Sequence, residues 1–223
     1  MRITKFETFF VKPRWLILKV RTDNDIIGVG EPILECRAHA CAAAVQEIGQ
    51  NIIGENPLEI ERLWQRMYRS GFYRGGPITM SAISGIEMAL WDIKGKALGV
   101  PAYDLMGGKV REKIRMYTHV KAIAIKGGNT VDEMCQLAKK RLSEWGMTAL
   151  KYSIIAPINP IIGKAEMKPH IERFAAVRET IGDDVDLAID FHGRVTPANA
   201  PRLIEVYLSP LVSVCSAAGG TVN

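Results

Sequence analysis

Residues 130–155, TVDEMCQLAKKRLSEWGMTALKYSII, contain one complete repeat of the pattern that determines the fold. Thr130 and Glu133 have the T-x-x-E spacing of a helix capping box, and Gly146 is the residue type that commonly ends a helix. Between these signals, apolar residues recur every three or four positions, which predicts an amphipathic helix. The apolar stretch after Gly146 has the length and composition of a buried strand.

The same alternation of apolar and helical segments extends to both sides of this repeat. Apolar stretches at 114–125, 147–155 and 185–191 are each followed by a helical segment, at 130–145, 169–181 and 198–208. Repeated βα units predict a parallel sheet, either doubly wound or closed into a barrel. An eight-unit barrel takes about 250 residues, so we expect 114–208 to be only the first three βα units of an incomplete (β/α) TIM-type barrel. The open sheet should leave some apolar side chains wet, such as Ile154, Leu187 and Ile189.

The first part of the chain has a different organisation. Alternation of apolar and polar residues predicts three strands of an antiparallel meander, at 3–11, 15–22 and 26–31. Helical composition follows at 38–53 and 58–69, and then an apolar stripe runs from Ile83 to Ala97 and ends at Gly99. Residues 1–113 are therefore predicted to be an α+β domain, and residues 209–223 a divergent tail without charged side chains.

Composition excludes several classes of function. The 223 residues carry a net charge of +5 and contain no apolar run long enough for a membrane-spanning helix. The chain start lacks the apolar core of a secretory signal, which predicts a cytoplasmic protein. Basic residues are scattered among acidic ones, so nucleic-acid binding is not expected. The four cysteines form no CxxC pair, so neither zinc nor a disulfide framework is expected.

Candidate functional residues lie where predicted parallel strands end, because functional side chains cluster there in βα folds. Asp190 and His192 are two apart at the end of the third strand, and Lys151 and Ser153 have the same spacing at the end of the second. A carboxylate beside an imidazole suits a metal ligand with a proton-transfer partner, and a lysine can bind an anionic substrate group. The alternatives are an ordinary loop or capping aspartate and a lysine that only extends its amine to solvent.

The other three histidines, His39, His119 and His170, have no partner at a usable spacing. We interpret them as surface or structural residues.

A longer stretch, residues 79–108 (TMSAISGIEMALWDIKGKALGVPAYDLMGG), carries a family resemblance. It resembles the signature that ends the capping domain in the mandelate racemase and muconate lactonizing branch of the enolase superfamily. Within that branch, four motifs are similar to those of the galactonate dehydratases and related sugar-acid dehydratases: Pro13-Arg-Trp15, Gly30-Glu-Pro32, Gly71-Phe-Tyr-Arg-Gly-Gly-Pro77 and Asp190-Phe-His-Gly-Arg194. The resemblance extends from residue 1 to about residue 208.

The resemblance implies a capping α+β domain over a modified (β/α) barrel, a magnesium ion, and loss of water from a sugar acid to give a 2-keto-3-deoxy acid. It implies that Asp190 is the first of three carboxylate ligands of the metal and that His192 is the acid that protonates the departing β-hydroxyl. Lys151 is expected near the substrate carboxylate and the metal. Such chemistry needs a divalent cation because a proton α to a carboxylate is very weakly acidic.

Substrate contacts are also implied elsewhere. Arg14 and Trp15 lie in the stretch that corresponds to the capping-domain loop over the substrate, and Ser153 stands where relatives in the wider branch carry a second, basic lysine. We expect all three to be substrate-binding residues.

The chain departs from the family pattern after Leu208, where SPLVSVCSAAGGTVN contains no charged residue. The further metal ligands at the next two strand ends, and the His-Asp dyad that removes the α-proton, have no counterpart here. We therefore expect an incomplete or mis-read sugar-acid dehydratase that is inactive alone, with magnesium binding that is weak or absent. The alternatives are a catalytically dead interaction or oligomerisation protein, and a racemase or another acid-sugar dehydratase of the same branch. The expected partner is a sugar-acid small molecule, and a homo-oligomer is a reasonable default.

Overall fold

The structure, a computed structural model, describes residues 1–120, 130–153 and 159–207. It divides into two compact units, Met1–Glu112 and the part from Lys113 onward. Part of the first predicted barrel strand, Ile154 and the whole uncharged tail, 209–223, lie outside the described residues. Within the described ranges, no helix is both long enough and apolar enough to cross a membrane.

The sheet of the first unit consists of β1 (Ile3–Val11), β2 (Trp15–Thr22) and β3 (Ile27–Gly30), which are antiparallel and pair in that order. This is the meander that the alternation predicts. Every second side chain of β2 points into the core, where Leu16, Leu18 and Val20 are fully buried.

Four helices complete the first unit: α1 (Ala38–Gln50), α2 (Ile60–Arg69), α3 (Pro77–Leu98) and the short α4 (Ala102–Leu105). α3 is the central helix, and its stripe of Ile83, Ile86, Leu90 and Ile93 is fully buried against the sheet and the other helices. It ends where Gly99 adopts a left-handed backbone conformation with a φ of 69°, which costs little in a residue without Cβ.

The second unit alternates strands and helices in the predicted order. Its elements are β4 (Thr118–His119), α5 (Val131–Trp145), β5 (Ala149–Ser153), α6 (Lys164–Ile181), β6 (Asp186–Asp190) and α7 (Ala200–Tyr207). The strands are parallel and neighbour each other in sequence order. The predicted fold class, an α+β unit followed by the first βα units of a parallel sheet, is confirmed.

The capping box of α5 is present as predicted. The backbone N–H of Glu133 donates to the Thr130 hydroxyl at 3.3 Å, and the Glu133 carboxylate accepts from the Thr130 backbone N–H at 2.9 Å. Gly146 ends the helix in the left-handed conformation. Side-chain partners therefore satisfy backbone groups that a helix terminus otherwise leaves unpaired.

The expectation that apolar side chains of the open sheet stay wet is wrong for Leu187 and Ile189. Each is 1% exposed, in a core that includes Phe174 and Val177 of α6. The physical reason is that these two side chains point toward the covering helices, while the other face of β6 carries Ala188 and Asp190. The face of β6 that these helices do not cover is therefore formed by small and polar residues.

Candidate active site

Parallel pairing brings the ends of β4, β5 and β6 to one edge of the sheet. His119 is in register with Lys151, and Ser153 is in register with Asp190. Residues in register share a face of the sheet, and successive residues alternate between faces. Because Leu150 and Tyr152 are buried in the core under the helices, Lys151 and Ser153 lie on the opposite face.

Asp190 is the centre of a small hydrogen-bonded group. Its Oδ2 accepts from the Lys151 ammonium at 3.1 Å, and its Oδ1 accepts from the backbone N–H of His192 at 2.7 Å. The side chains of Asp190 and Lys151 are each only 14% exposed. Burial by itself raises the pKa of Asp190, but the His192 N–H, the Lys151 ammonium and the His192 ring together outweigh burial and lower it. Asp190 is therefore ionised at neutral pH and holds the lysine charge beside it.

His192 also contacts Asp190. Strand alternation predicted that the two side chains lie close together, but it is a turn after β6 that brings them into contact. β6 ends at Asp190, and His192 adopts a φ of +53° that is uncommon for a residue with Cβ. This turn places His192 Nδ1 3.2 Å from Asp190 Oδ2 while the ring remains 49% exposed. The imidazole is thus oriented by a carboxylate and still accessible to a small molecule.

Ser153 is buried at the same edge, 7% exposed. Its hydroxyl has no hydrogen-bond partner within the described ranges. A buried hydroxyl without a partner is costly, so it is a natural contact for a ligand oxygen or an ordered water. Its role in substrate binding stays a prediction.

Sequence spacing missed two residues at this edge. Tyr117 lies directly before β4, and its ring is 5.4 Å from the Lys151 amine, within the range of a cation–π contact. His119, interpreted from sequence as a surface or structural histidine, is half-buried at the end of β4 beside Lys151. Tyr117 and His119 are two positions apart, which predicts that they share a face of a strand. Only the register between strands shows that Lys151 lies on the same face.

A magnesium ion requires near-octahedral oxygen ligands, usually including carboxylates. In the part of the chain that the structure describes, no three His, Cys, Asp or Glu side chains form a group that could hold a metal ion. Asp190 is a single carboxylate, and both of its oxygens already accept hydrogen bonds. The described residues therefore do not make a magnesium site; they supply one candidate ligand.

Arg14 and Trp15, the predicted substrate contacts of the first unit, lie at the β1–β2 connection. They line a groove of about 820 Å³ with the segment before α1, including Cys36 and His39. Arg14 forms an ion pair with Glu35 at 2.5 Å, and Trp15 is more than half exposed. The groove combines aromatic side chains, cationic side chains and the Glu35 carboxylate that pairs with Arg14.

The first unit is an α+β domain, and the second is a series of parallel βα units with a carboxylate–lysine–histidine group at their strand ends. Comparison with known proteins identifies the family. Residues 6–107 match the family "Mandelate racemase / muconate lactonizing enzyme, N-terminal domain", and residues 133–211 match "Enolase C-terminal domain-like". The chain belongs to this branch of the enolase superfamily.

Individual relatives agree with this assignment. The chain is 45% identical to a D-galactonate dehydratase of Pectobacterium atrosepticum over 92% of this chain and 52% of the relative. A crystal structure of an enolase-superfamily member from Salmonella Typhimurium aligns with a TM-score of 0.86 and 31% identity, over 95% of this chain and 59% of that one.

A third relative was solved with ligands bound. The structure of an enolase from Agrobacterium radiobacter, with sodium and L-malate, aligns with a TM-score of 0.80 and 26% identity, over 95% of this chain and 53% of that one. The chain spans about half the length of the curated relatives it matches.

Proposed function

We propose that this chain acts in the dehydration of a galactonate-like sugar acid to a 2-keto-3-deoxy acid. The observation that carries the proposal is the contact of Asp190 with both Lys151 and His192 at the strand ends. Similarity to D-galactonate dehydratases supports the substrate class. L-malate, bound by the related Agrobacterium radiobacter protein, is likewise a hydroxylated carboxylic acid.

The reaction removes the proton from C2 and the hydroxyl from C3, so that water leaves and an enol remains, which then tautomerises to the 2-keto acid. His192 donates a proton to the departing hydroxyl, converting a poor leaving group into water. Asp190 orients the imidazole through the 3.2 Å contact with Nδ1. We assign the removal of the C2 proton to no described residue, because the amine nearest the site, Lys151, is already bound by Asp190.

Lys151 binds the substrate carboxylate in this proposal. Its ammonium is held at the sheet edge by Asp190 at 3.1 Å and by the face of the Tyr117 ring. A side chain that is already held in place loses little conformational freedom when it binds an anion. The Ser153 hydroxyl, which has no partner among the described residues, is on the same face and can donate to a substrate oxygen.

Magnesium dependence is part of the same proposal, although the described residues form only one potential ligand. A bound divalent cation would stabilise the negative charge that develops when the C2 proton leaves. We propose that Asp190 is one ligand, so that magnesium binding by this chain is weak and is lost in Asp190→Ala.

Binding of D-galactonate to the 223-residue chain, measured by calorimetry with and without magnesium chloride, tests the proposal. Lys151→Met should weaken galactonate binding at least about tenfold, since a charge-assisted contact contributes about 1.5–3 kcal/mol. Lys151→Arg keeps the positive charge and should retain part of the affinity. Lys168→Met is the matched control, because Lys168 forms an exposed ion pair with Glu172 on α6.

Asp190→Asn has a control on the same strand. Asp186→Asn removes a carboxylate at the opposite end of β6, where Asp186 pairs with Arg115 at 2.5 Å. Only the change at Asp190 should reduce galactonate binding. If the wild-type chain binds no galactonate in either condition, the dehydratase proposal fails and the interaction-protein alternative gains support.

A further inference from the structure

Two loops follow the strand ends that carry the candidate site. One leads from β5 to α6, and its described part is 159–163; the other, 191–199, leads from β6 to α7 and contains His192. Asn199 is the last residue of the second loop, directly before α7, and it is 1% exposed. The proposed chemistry does not use this buried amide, yet its hydrogen bonds link the two loops.

The Asn199 side chain binds the backbone of the β5–α6 loop through both of its polar atoms. Its Oδ1 accepts from the backbone N–H of Ile162 at 3.3 Å. Its Nδ2 donates to the carbonyl oxygens of Asn159 at 3.2 Å and Pro160 at 3.0 Å. The Thr196 hydroxyl, from the same loop as Asn199, also donates to the Pro160 carbonyl, at 2.9 Å. Because the partners are main-chain groups, these bonds fix the backbone of one loop against the other.

The orientation of His192 depends on the loop that Asn199 ends. The ring is 49% exposed, so packing alone does not orient it, and the backbone has a φ of +53° that a residue with Cβ rarely adopts. Such a conformation persists only where the surrounding structure determines it. At one end of the loop, Asp190 accepts from the His192 N–H at 2.7 Å. At the other end, the hydrogen bonds of Asn199 hold the chain in place.

We propose that Asn199 is a positioning residue for His192. By linking the two loops, it keeps the turn after β6 in the conformation that places His192 Nδ1 3.2 Å from Asp190 Oδ2. The inference rests on the proposed function for the role of this imidazole as the acid that protonates the departing hydroxyl. It goes further in assigning the orientation of that acid to an amide that is itself too deeply buried to contact a substrate.

The test observes the His192 imidazole directly, in the 223-residue chain labelled with ¹⁵N at its histidines. A carboxylate beside Nδ1 favours the neutral tautomer that carries its proton there, and the ring ¹⁵N shifts measure the tautomer. At about pH 8, where an ordinary imidazole is neutral, Asp190→Asn should move the His192 signals toward the other tautomer. Asn199→Ala should move them in the same direction and leave the signals of the other three histidines in place. His192→Gln identifies the His192 signals by their loss.

Two further variants separate positioning from general stability. Asn159→Ala is the matched control, because it removes an exposed amide that donates to Glu166 but retains the main-chain carbonyl that Asn199 binds. It should leave the His192 signals where they are. If Asn199→Ala does not fold, Thr196→Val takes its place: it removes the hydroxyl that donates to Pro160 and should cause a smaller displacement in the same direction.

Binding of D-galactonate connects the orientation of His192 with the proposed function. Asn199→Ala should weaken binding about two- to tenfold, the range expected for one lost neutral hydrogen bond, because the displaced imidazole no longer contacts the departing hydroxyl. The inference is overturned if the His192 signals of Asn199→Ala coincide with those of the wild type, or move together with those of the other histidines. Unchanged galactonate binding despite displaced His192 signals overturns it as well. If the wild-type chain binds no galactonate, the dehydratase proposal fails, and the spectra still decide whether Asn199 positions His192.

Discussion

Replacing Gly30 by alanine tests how the first unit is assembled. Gly28 and Gly30 lie on the side of β3 that faces α3, where the strand approaches the helix backbone closely. A Cβ at position 30 would lie 1.9 Å from the carbonyl oxygen of Gly85, and one at position 28 would lie 2.0 Å from that of Ala89. Both obstacles are helix backbone, which cannot rotate away as a side chain can.

The size of the effect follows from that geometry. An ordinary carbon–oxygen contact is about 3.3 Å or longer, so α3 must move by about 1.4 Å to accept the methyl group. That movement would open space around the fully buried side chains of the same helix, Ile83, Ile86 and Leu90. Overpacking of this kind costs about 1–3 kcal/mol, and a backbone obstacle places Gly30→Ala near the upper end, about 3 kcal/mol. This is a large part of the 5–15 kcal/mol that typically stabilises a domain.

Urea unfolding followed by tryptophan fluorescence measures this loss, since Trp64 and Trp91 pack against the core of the first unit. Gly71→Ala is the control: its added Cβ would come no closer than 3.4 Å to any atom, and we expect a change within about 0.5 kcal/mol. The reasoning is refuted if Gly30→Ala unfolds at the urea concentration of the wild type. It is equally refuted if the control loses as much stability, because the loss could then not be attributed to the close approach of β3 and α3.

Two further predictions concern the second unit. Thr130→Ala removes the hydroxyl that accepts from the Glu133 N–H and should lower the free energy of unfolding by about 1 kcal/mol in thermal melts, whereas Ser143→Ala at an exposed site should not. For His170, burial and then the charge of Arg173 lower the pKa from 6.5, so the unfolded chain binds a proton more readily than the folded one. The stability from neutral His170 is therefore complete above about pH 6.5 and is lost as pH falls toward the folded-state pKa. Urea unfolding at pH 7.5 and 5.5 should show a larger loss for the wild type than for His170→Leu, and equal losses would contradict this explanation.

Local patterns in the sequence were sufficient for most of the secondary structure. The meander follows from alternation, and the start of α5 follows from Thr130 and Glu133, because both signals involve residues a few positions apart. Helix α6 differs: it begins at Lys164, five residues before the predicted start, because the Glu166 carboxylate accepts the Gly163 N–H at 3.0 Å. Pro169, the first residue of the predicted range, lies inside the helix.

The candidate site was only partly visible in the sequence. Asp190 and Lys151 could be singled out because each follows an apolar stretch at a strand end, where βα folds place their chemistry. His119 could not, because its neighbour Lys151 is 32 positions away and the two meet only through strand pairing. The contact of His192 with Asp190 likewise depends on a turn with positive φ, which residue type does not predict for histidine.

The sequence by itself determined the order and type of the elements, since periodicity, capping and turn residues act over a few positions. It also determined the family, because residues 79–108 and the motifs around them are long and specific. Only the tertiary structure decided which face of each strand meets the helices, and therefore that Leu187 and Ile189 are buried while Lys151, Ser153 and Asp190 share the opposite face. The physical reason is that alternation makes two faces distinct, but packing between distant segments selects the one that is covered.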